Sequence, residues 1–91
     1  MKIVFRIHAL QRMALRRISA EEIRTVISTG ETIEDYPDDR PYPSRLLLGF
    51  VAGRALHVVT AYNAVADETI VITAYDPDPQ HWEPDFRRRR P

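Results

Sequence analysis

No residue of the chain is a cysteine, so 91 residues must find their stability without a covalent crosslink. A small domain without disulfides or a metal depends on one well-filled hydrophobic core. At this length folding buries about 60–65% of the unfolded surface, which suffices for one modest core and a single domain. The same absence excludes a thiolate zinc site and a cysteine nucleophile. Apolar runs such as Leu46–Leu47–Leu48, which ends at Gly49, are far short of the ~20 residues a membrane span requires. Arg6 and His8 interrupt the stretch where a signal peptide is apolar. The expectation is a cytoplasmic protein with no membrane partner.

Thirteen basic residues balance thirteen acidic ones, but they are not mixed evenly. Residues 1–30 carry Lys2, Arg6, Arg12, Arg16, Arg17 and Arg24 against Glu21 and Glu22. Residues 31–43 reverse the sign, with Glu31, Glu34, Asp35, Asp38 and Asp39 against Arg40. Residues 44–86 are again acidic, and Arg87–Arg90 restore the balance. Zero net charge therefore excludes only a generally polybasic binder, not a focused phosphate site.

The local patterns predict two helices followed by strands. Residues 2–7 alternate as a short strand, and residues 8–17 read as a helix with Leu10, Met13 and Ala14 on one face. Ser19 and Glu22 form a capping box, Ile18 and Ile23 a hydrophobic staple, and a helix over 20–29 buries Ile23, Val26 and Ile27. Gly30 suits the C′ position of that helix. Residues 32–36 are a strand candidate before a turn rich in proline. Residues 44–51 and 54–62 form a hairpin around Ala52–Gly53, and residues 68–75 supply a last strand rich in β-branched side chains. Beyond Tyr75 the prolines exclude a long helix, and Trp82 and Phe86 pin the segment to the body. The class is α+β, with two N-terminal helices on one face of a curved, mainly antiparallel sheet. One domain spans 1–86, and 87–91 is a flexible basic tail.

Three constellations bear on chemistry. His8, Arg12 and Arg16 are spaced to form one helical stripe, and guanidinium forks match phosphoryl oxygens. The same stripe also fits a solvated face. His57 sits mid-strand between Leu56 and Val58, where a histidine is more often a satisfied core residue than a catalyst. Thr73 and Tyr75 share one strand face and join His57 in a polar cluster if it opens the same way. The three histidines have no close metal-ligand spacing, and no glycine-rich phosphate loop or nucleophile elbow occurs, so no metal or cofactor is expected.

The stretch HALQRMALRRISAEEIRTVISTGE resembles the opening of a family of small prokaryotic proteins catalogued as a domain of unknown function, reading His-Ala-x-x-Arg-Met-x-x-Arg-x-Ile-Ser. The segments EDYPDDRPYPS, LLLG, GRALHVV and VITAYDPDPQHW extend the likeness over nearly the whole chain. That family is similar to the RelE-like toxins, whose members commonly accompany a zinc-finger antitoxin of the YgiT/MqsA type. The resemblance implies a toxin-like, metal-independent endoribonuclease in which a ribose 2′-hydroxyl attacks the adjacent phosphate. It carries over His8, Arg12, Arg16, His57, Thr73 and Tyr75, together with Arg54, which also fits a plain turn residue. His57 and His8 would share acid–base work, Arg12 and Arg16 would hold the phosphate, and Tyr75 would orient it or stack on a base. Arg54 and Thr73 would contact substrate. The partners implied are RNA and a cognate antitoxin. Two other readings stand beside it: a non-catalytic RNA- or protein-binding module, and an interaction protein whose acidic residues 31–39 dock on a basic partner.

Overall fold

Ser19 begins the second helix as its neighbours predict: its hydroxyl accepts from the Glu22 amide at 3.1 Å, and the Glu22 carboxylate accepts from the Ser19 amide at 2.8 Å. A computed structural model describes all residues, Met1–Pro91. The elements are β1 (Lys2–Phe5), α1 (Ile7–Arg16), α2 (Ala20–Thr29), β2 (Glu31–Tyr36), β3 (Ser44–Val51), β4 (Arg54–Asn63) and β5 (Glu68–Tyr75). They build one five-stranded sheet in the order β1-β5-β4-β3-β2. β1 runs parallel to β5, and every other pairing is antiparallel. The fold is α+β, with both helices on one face of a mainly antiparallel sheet.

The core lies between that face and the helices. Ala9, Met13, Ile18, Ile23 and Val26 pack on Leu47, Leu56, Val58, Val71 and Ala74. Gly49 joins this face because a Cβ there would lie 2.8 Å from a Val26 methyl, so α2 can only settle onto β3 over a bare backbone. Between β3 and β4, Ala52 (φ 51°) and Gly53 (φ 81°) both take positive φ, as a two-residue hairpin turn of right-handed twist requires.

The helix faces differ in part from the pattern. Of the expected Leu10, Met13 and Ala14, Met13 faces the sheet, whereas Leu10 and Ala14 point to solvent and Ala9 takes their place. Only Arg6 separates β1 from α1, and that short link fixes the helix's rotation. Ala9, fully buried, is small enough to let the helix approach β5 closely. Gly30 is also glycine for another reason than expected. Its backbone is extended (φ −75°), and a Cβ would sit 2.6 Å from the Leu48 and Val26 carbonyl oxygens. The left-handed cap belongs to α1: Arg17 takes φ 54° while the amides of Arg17 and Ile18 bond back to Ala14 and Met13.

Residues 87–91, read as a flexible tail, are paired in the structure. Arg87 meets Glu31 at 2.6 Å, Arg89 meets Glu34 at 3.1 and 3.2 Å, and Arg90 donates to the Pro79 carbonyl at 2.7 Å. The basic tail and the acidic block 31–43, both visible as sequence, thus meet at two pairs, Arg87–Glu31 and Arg89–Glu34.

Candidate functional site

The sheet face away from the helices carries Glu34, Tyr36, Leu46, Leu48, His57, Val59, Thr73 and Tyr75, by alternation and register. Residues 76–91 lie over it without regular structure. Trp82, 3% exposed, meets His57 edge-on at 4.5 Å between ring centroids, and Arg89 lies over the Trp82 ring at 4.7 Å. A bridge between Trp82 and Arg89 ties the segment to itself. Phe86 is held at φ 60°, a conformation that side chains other than glycine rarely adopt, and its carbonyl is turned toward His57.

His57 is the hub of this face. Its Nε2 lies 2.9 Å from the Phe86 carbonyl, which can only accept, so Nε2 carries the proton. Nδ1 is then an acceptor and takes the Tyr75 hydroxyl at 3.3 Å. The ring is wholly buried, and burial lowers its pKa below the ordinary histidine value. Burial likewise raises Tyr75. Burial also works to raise Glu34, but the hydrogen bonds from Arg89 and Tyr36 outweigh it and hold that carboxyl below its usual range. The same Glu34 contact raises Tyr36 and Arg89. The face therefore gathers a neutral histidine, two protonated phenols and one tight Glu34–Arg89 pair. Perturbed groups of this kind concentrate where chemistry or binding happens.

The other expected residues are distributed differently. His57, Thr73 and Tyr75 do share a face. Arg16 reaches the β5 edge, where its guanidinium donates to the Ala74 carbonyl at 2.8 Å. This carbonyl lies past the end of β1, whose pairing stops at Val71, so the arginine satisfies an open strand edge. His8 and Arg12 are exposed on α1, on the helix side of the sheet, and make no hydrogen bond or ion pair with His57. Histidine-to-histidine acid–base work between His8 and His57 has no geometric basis in this conformation, because the sheet lies between them and both His57 nitrogens are engaged.

Arg54 is wholly occupied. It pairs with Asp76 through Nε at 2.7 Å and Nη2 at 2.9 Å, donates to the Arg17 and Arg16 carbonyls at 3.0 and 2.9 Å, and lies 3.5 Å from Glu22. It binds the C-terminal end of α1, the first turn of α2 and the end of β5 together. Its donors are spent on the protein, leaving none for a substrate phosphate.

Trp82, expected to pin its segment to the body, does so against His57, whereas Glu34, Tyr36 and Arg89 were not singled out from sequence. Their only early signal was the pair of opposite charge blocks at 31–43 and 87–90, which implies contact but not with which face. Glu31 and Glu34 of the acidic block meet arginines of this chain. No group of three or more histidine, aspartate or glutamate side chains is placed to hold a metal ion. No helix is long and apolar enough to cross a membrane.

The fold and this covered polar face define a small α+β domain built around a buried histidine. The chain belongs to the family described as a domain of unknown function, DUF4258, whose model matches residues 5–76. No curated protein and no solved structure matches it. The family match ends at Asp76, where the segment covering His57 begins.

Proposed function

We propose that the chain is a toxin-like, metal-independent endoribonuclease whose reacting face is the sheet around His57 and Tyr75, closed in this conformation by residues 77–91. The observation that carries it is the convergence of five shifted groups, His57, Tyr75, Glu34, Tyr36 and Arg89, on one sheet face that the helices leave free. The cover is fastened at its end by Arg87–Glu31 and Arg89–Glu34, exposed pairs of the kind worth about 0–1 kcal/mol each. Lifting it frees His57 Nε2 while the Tyr75 bond keeps the ring oriented.

The chemistry would be transesterification. A base takes the 2′-hydroxyl proton, the 2′-oxygen bonds to phosphorus, the bond to the 5′-oxygen breaks, and that oxygen takes a proton. The products are a 2′,3′-cyclic phosphate and a 5′-hydroxyl end. Once the Phe86 carbonyl is gone, His57 carries its proton on Nδ1 toward the Tyr75 oxygen, takes the 2′-hydroxyl proton at Nε2 and returns it to the 5′-oxygen, with Arg16 at the β5 edge as a cation for the phosphate. His8 and Arg12 would bind flanking RNA from outside the reacting centre.

The test is incubation of unstructured RNA with the full chain in EDTA, reading cyclic phosphate ends. Wild type is expected to cut slowly, Arg87→Ala/Arg89→Ala faster, and that variant carrying His57→Gln not at all. If all three stay folded and none produces cyclic ends, the catalytic reading is overturned.

A second reading has its own observation. The outer face of α1 exposes Ile7 (73%), Leu10 (48%) and Leu15 (81%) beside His8, Arg12 and Arg17, neither arginine having an ion-pair partner. A non-catalytic module that holds an acidic protein partner, such as an antitoxin, through this helix predicts binding lost in Leu15→Glu/Arg12→Glu and untouched by His57→Gln.

A further inference from the structure

The sheet face under the helices has a second half that neither helix reaches. Past Leu47 and Val58 the same face continues into Arg45 and Thr60, with Asp35, Tyr62 and Thr69 alongside. These residues line a cavity of about 450 Å³ with no residue of α1 or α2 in its wall. Apolar strand positions thus change to polar ones where the helical cover stops, and three of the four buried polar residues, Ser44, Thr60 and Thr69, line this one space.

The Ser44 and Thr69 hydroxyls are bonded to Asp39 and to the Met1 sulfur, but three other polar groups of the lining, Thr60, Asp35 and Arg45, are underused. Thr60 is 1% exposed, yet its hydroxyl makes no hydrogen bond within the protein. No buried polar atom of the chain lacks a partner, so this hydroxyl opens onto the cavity rather than being sealed in. Asp35 and Arg45 are direct cross-strand neighbours, yet they form no ion pair. Arg45 has only a long contact to the Thr32 hydroxyl at 3.4 Å, and Asp35 has no side-chain partner. Tyr62 is different: its hydroxyl is fixed on Asp67 at 2.7 Å, leaving the half-exposed ring as a wall.

We infer that this cavity binds a nucleoside monophosphate. A forked guanidinium without a carboxylate partner suits a phosphate. A free carboxylate and a buried hydroxyl suit the N–H donors and carbonyls of a base edge, and the Tyr62 ring gives a flat heterocycle a surface to stack on. The volume lies within the roughly 300–1,000 Å³ of small-ligand sites. A single amino acid carries the same charges but would leave most of that space unfilled and the tyrosine unused. The site is on the opposite sheet face from His57 and does not depend on RNA cleavage there.

The experiment is titration of the ¹⁵N-labelled full chain with AMP, GMP, CMP and UMP, with inorganic phosphate and glutamate as comparators. At least one nucleotide is expected to give saturable shifts at the amides of Arg45, Thr60 and Thr69, saturating below about 1 mM. Thr60→Val, which keeps shape and removes the hydroxyl, and Arg45→Gln should each weaken binding about tenfold. His57→Gln should leave it unchanged, which separates this site from the catalytic reading. Absence of saturable shifts with every nucleotide overturns the inference. So does equal affinity in both variants, or phosphate or glutamate binding as tightly as the nucleotides.

Discussion

His57 stays neutral because it is buried, and that has a consequence for stability. Its folded-state pKa lies below the ordinary value near 6.5, so the unfolded chain takes up the proton first as pH falls. Its contribution is complete above about pH 6.5 and is lost below it, at up to about 1.4 kcal/mol per pH unit. Urea midpoints at pH 7.5 and 5.0 should show that loss in wild type and a smaller one in His57→Gln. His81→Gln, at an exposed position, should behave as wild type; equal losses in all three would remove His57 from the account. Arg54 makes the opposite kind of contribution, charged and bonded at every donor. Arg54→Ala leaves two carbonyls at the end of α1 and the Asp76 carboxylate without it, at a cost of about 2 kcal/mol. Chemical denaturation should register the loss with the m-value unchanged.

Helix α2 and the β3–β4 hairpin were legible in the residues because their signals are local. A capping box and a glycine in a two-residue turn act within four positions of chain. The rotation of α1 was only half legible: Met13 was placed on the buried face, but Leu10 and Ala14 fit a stripe with it as well as Ala9 does. Only the one-residue link from β1 and the close approach to β5 choose between them. The same division holds for the candidate site. The shared face of His57, Thr73 and Tyr75 follows from strand alternation, whereas Trp82 and Arg89 reach it through a segment with no period to read. Gly49 shows how one element sets another's seat. Gly49→Ala should push α2 from β3 and cost about 1–3 kcal/mol, and adding Val26→Ala should recover part of it, because it removes the two methyls at 2.8 and 3.0 Å and leaves only the Cβ at 3.1 Å. Additive losses in thermal melts of the three proteins would show that the clash is not with Val26.

At the level of the whole molecule the sheet is covered differently on its two faces. The helices seal half of one face with apolar contacts, and a loop segment seals the other through a histidine, an indole and two exposed ion pairs. The family model matches residues 5–76, and the second cover lies beyond those residues. Hydrogen exchange should separate the two: amides of β4 and α2 protected to the global limit, those of residues 80–90 opening at lower free energy. Uniform protection over both would mean that the segment is a full member of the core.

The position of β1 bears on how the chain reaches this state. Lys2–Phe5 is the earliest strand in the fold, yet its sole neighbour, Glu68–Val71, belongs to the last one. Until that strand is in place α1, which rests on that same β5, has no surface to settle on, and its apolar residues stay in water. Pairing β1 with β5 must therefore close the long loop from Lys2 to Glu68 before that edge of the sheet is complete. Nascent chains arrested before residue 68 should present α1 to whatever chaperone or protease is near.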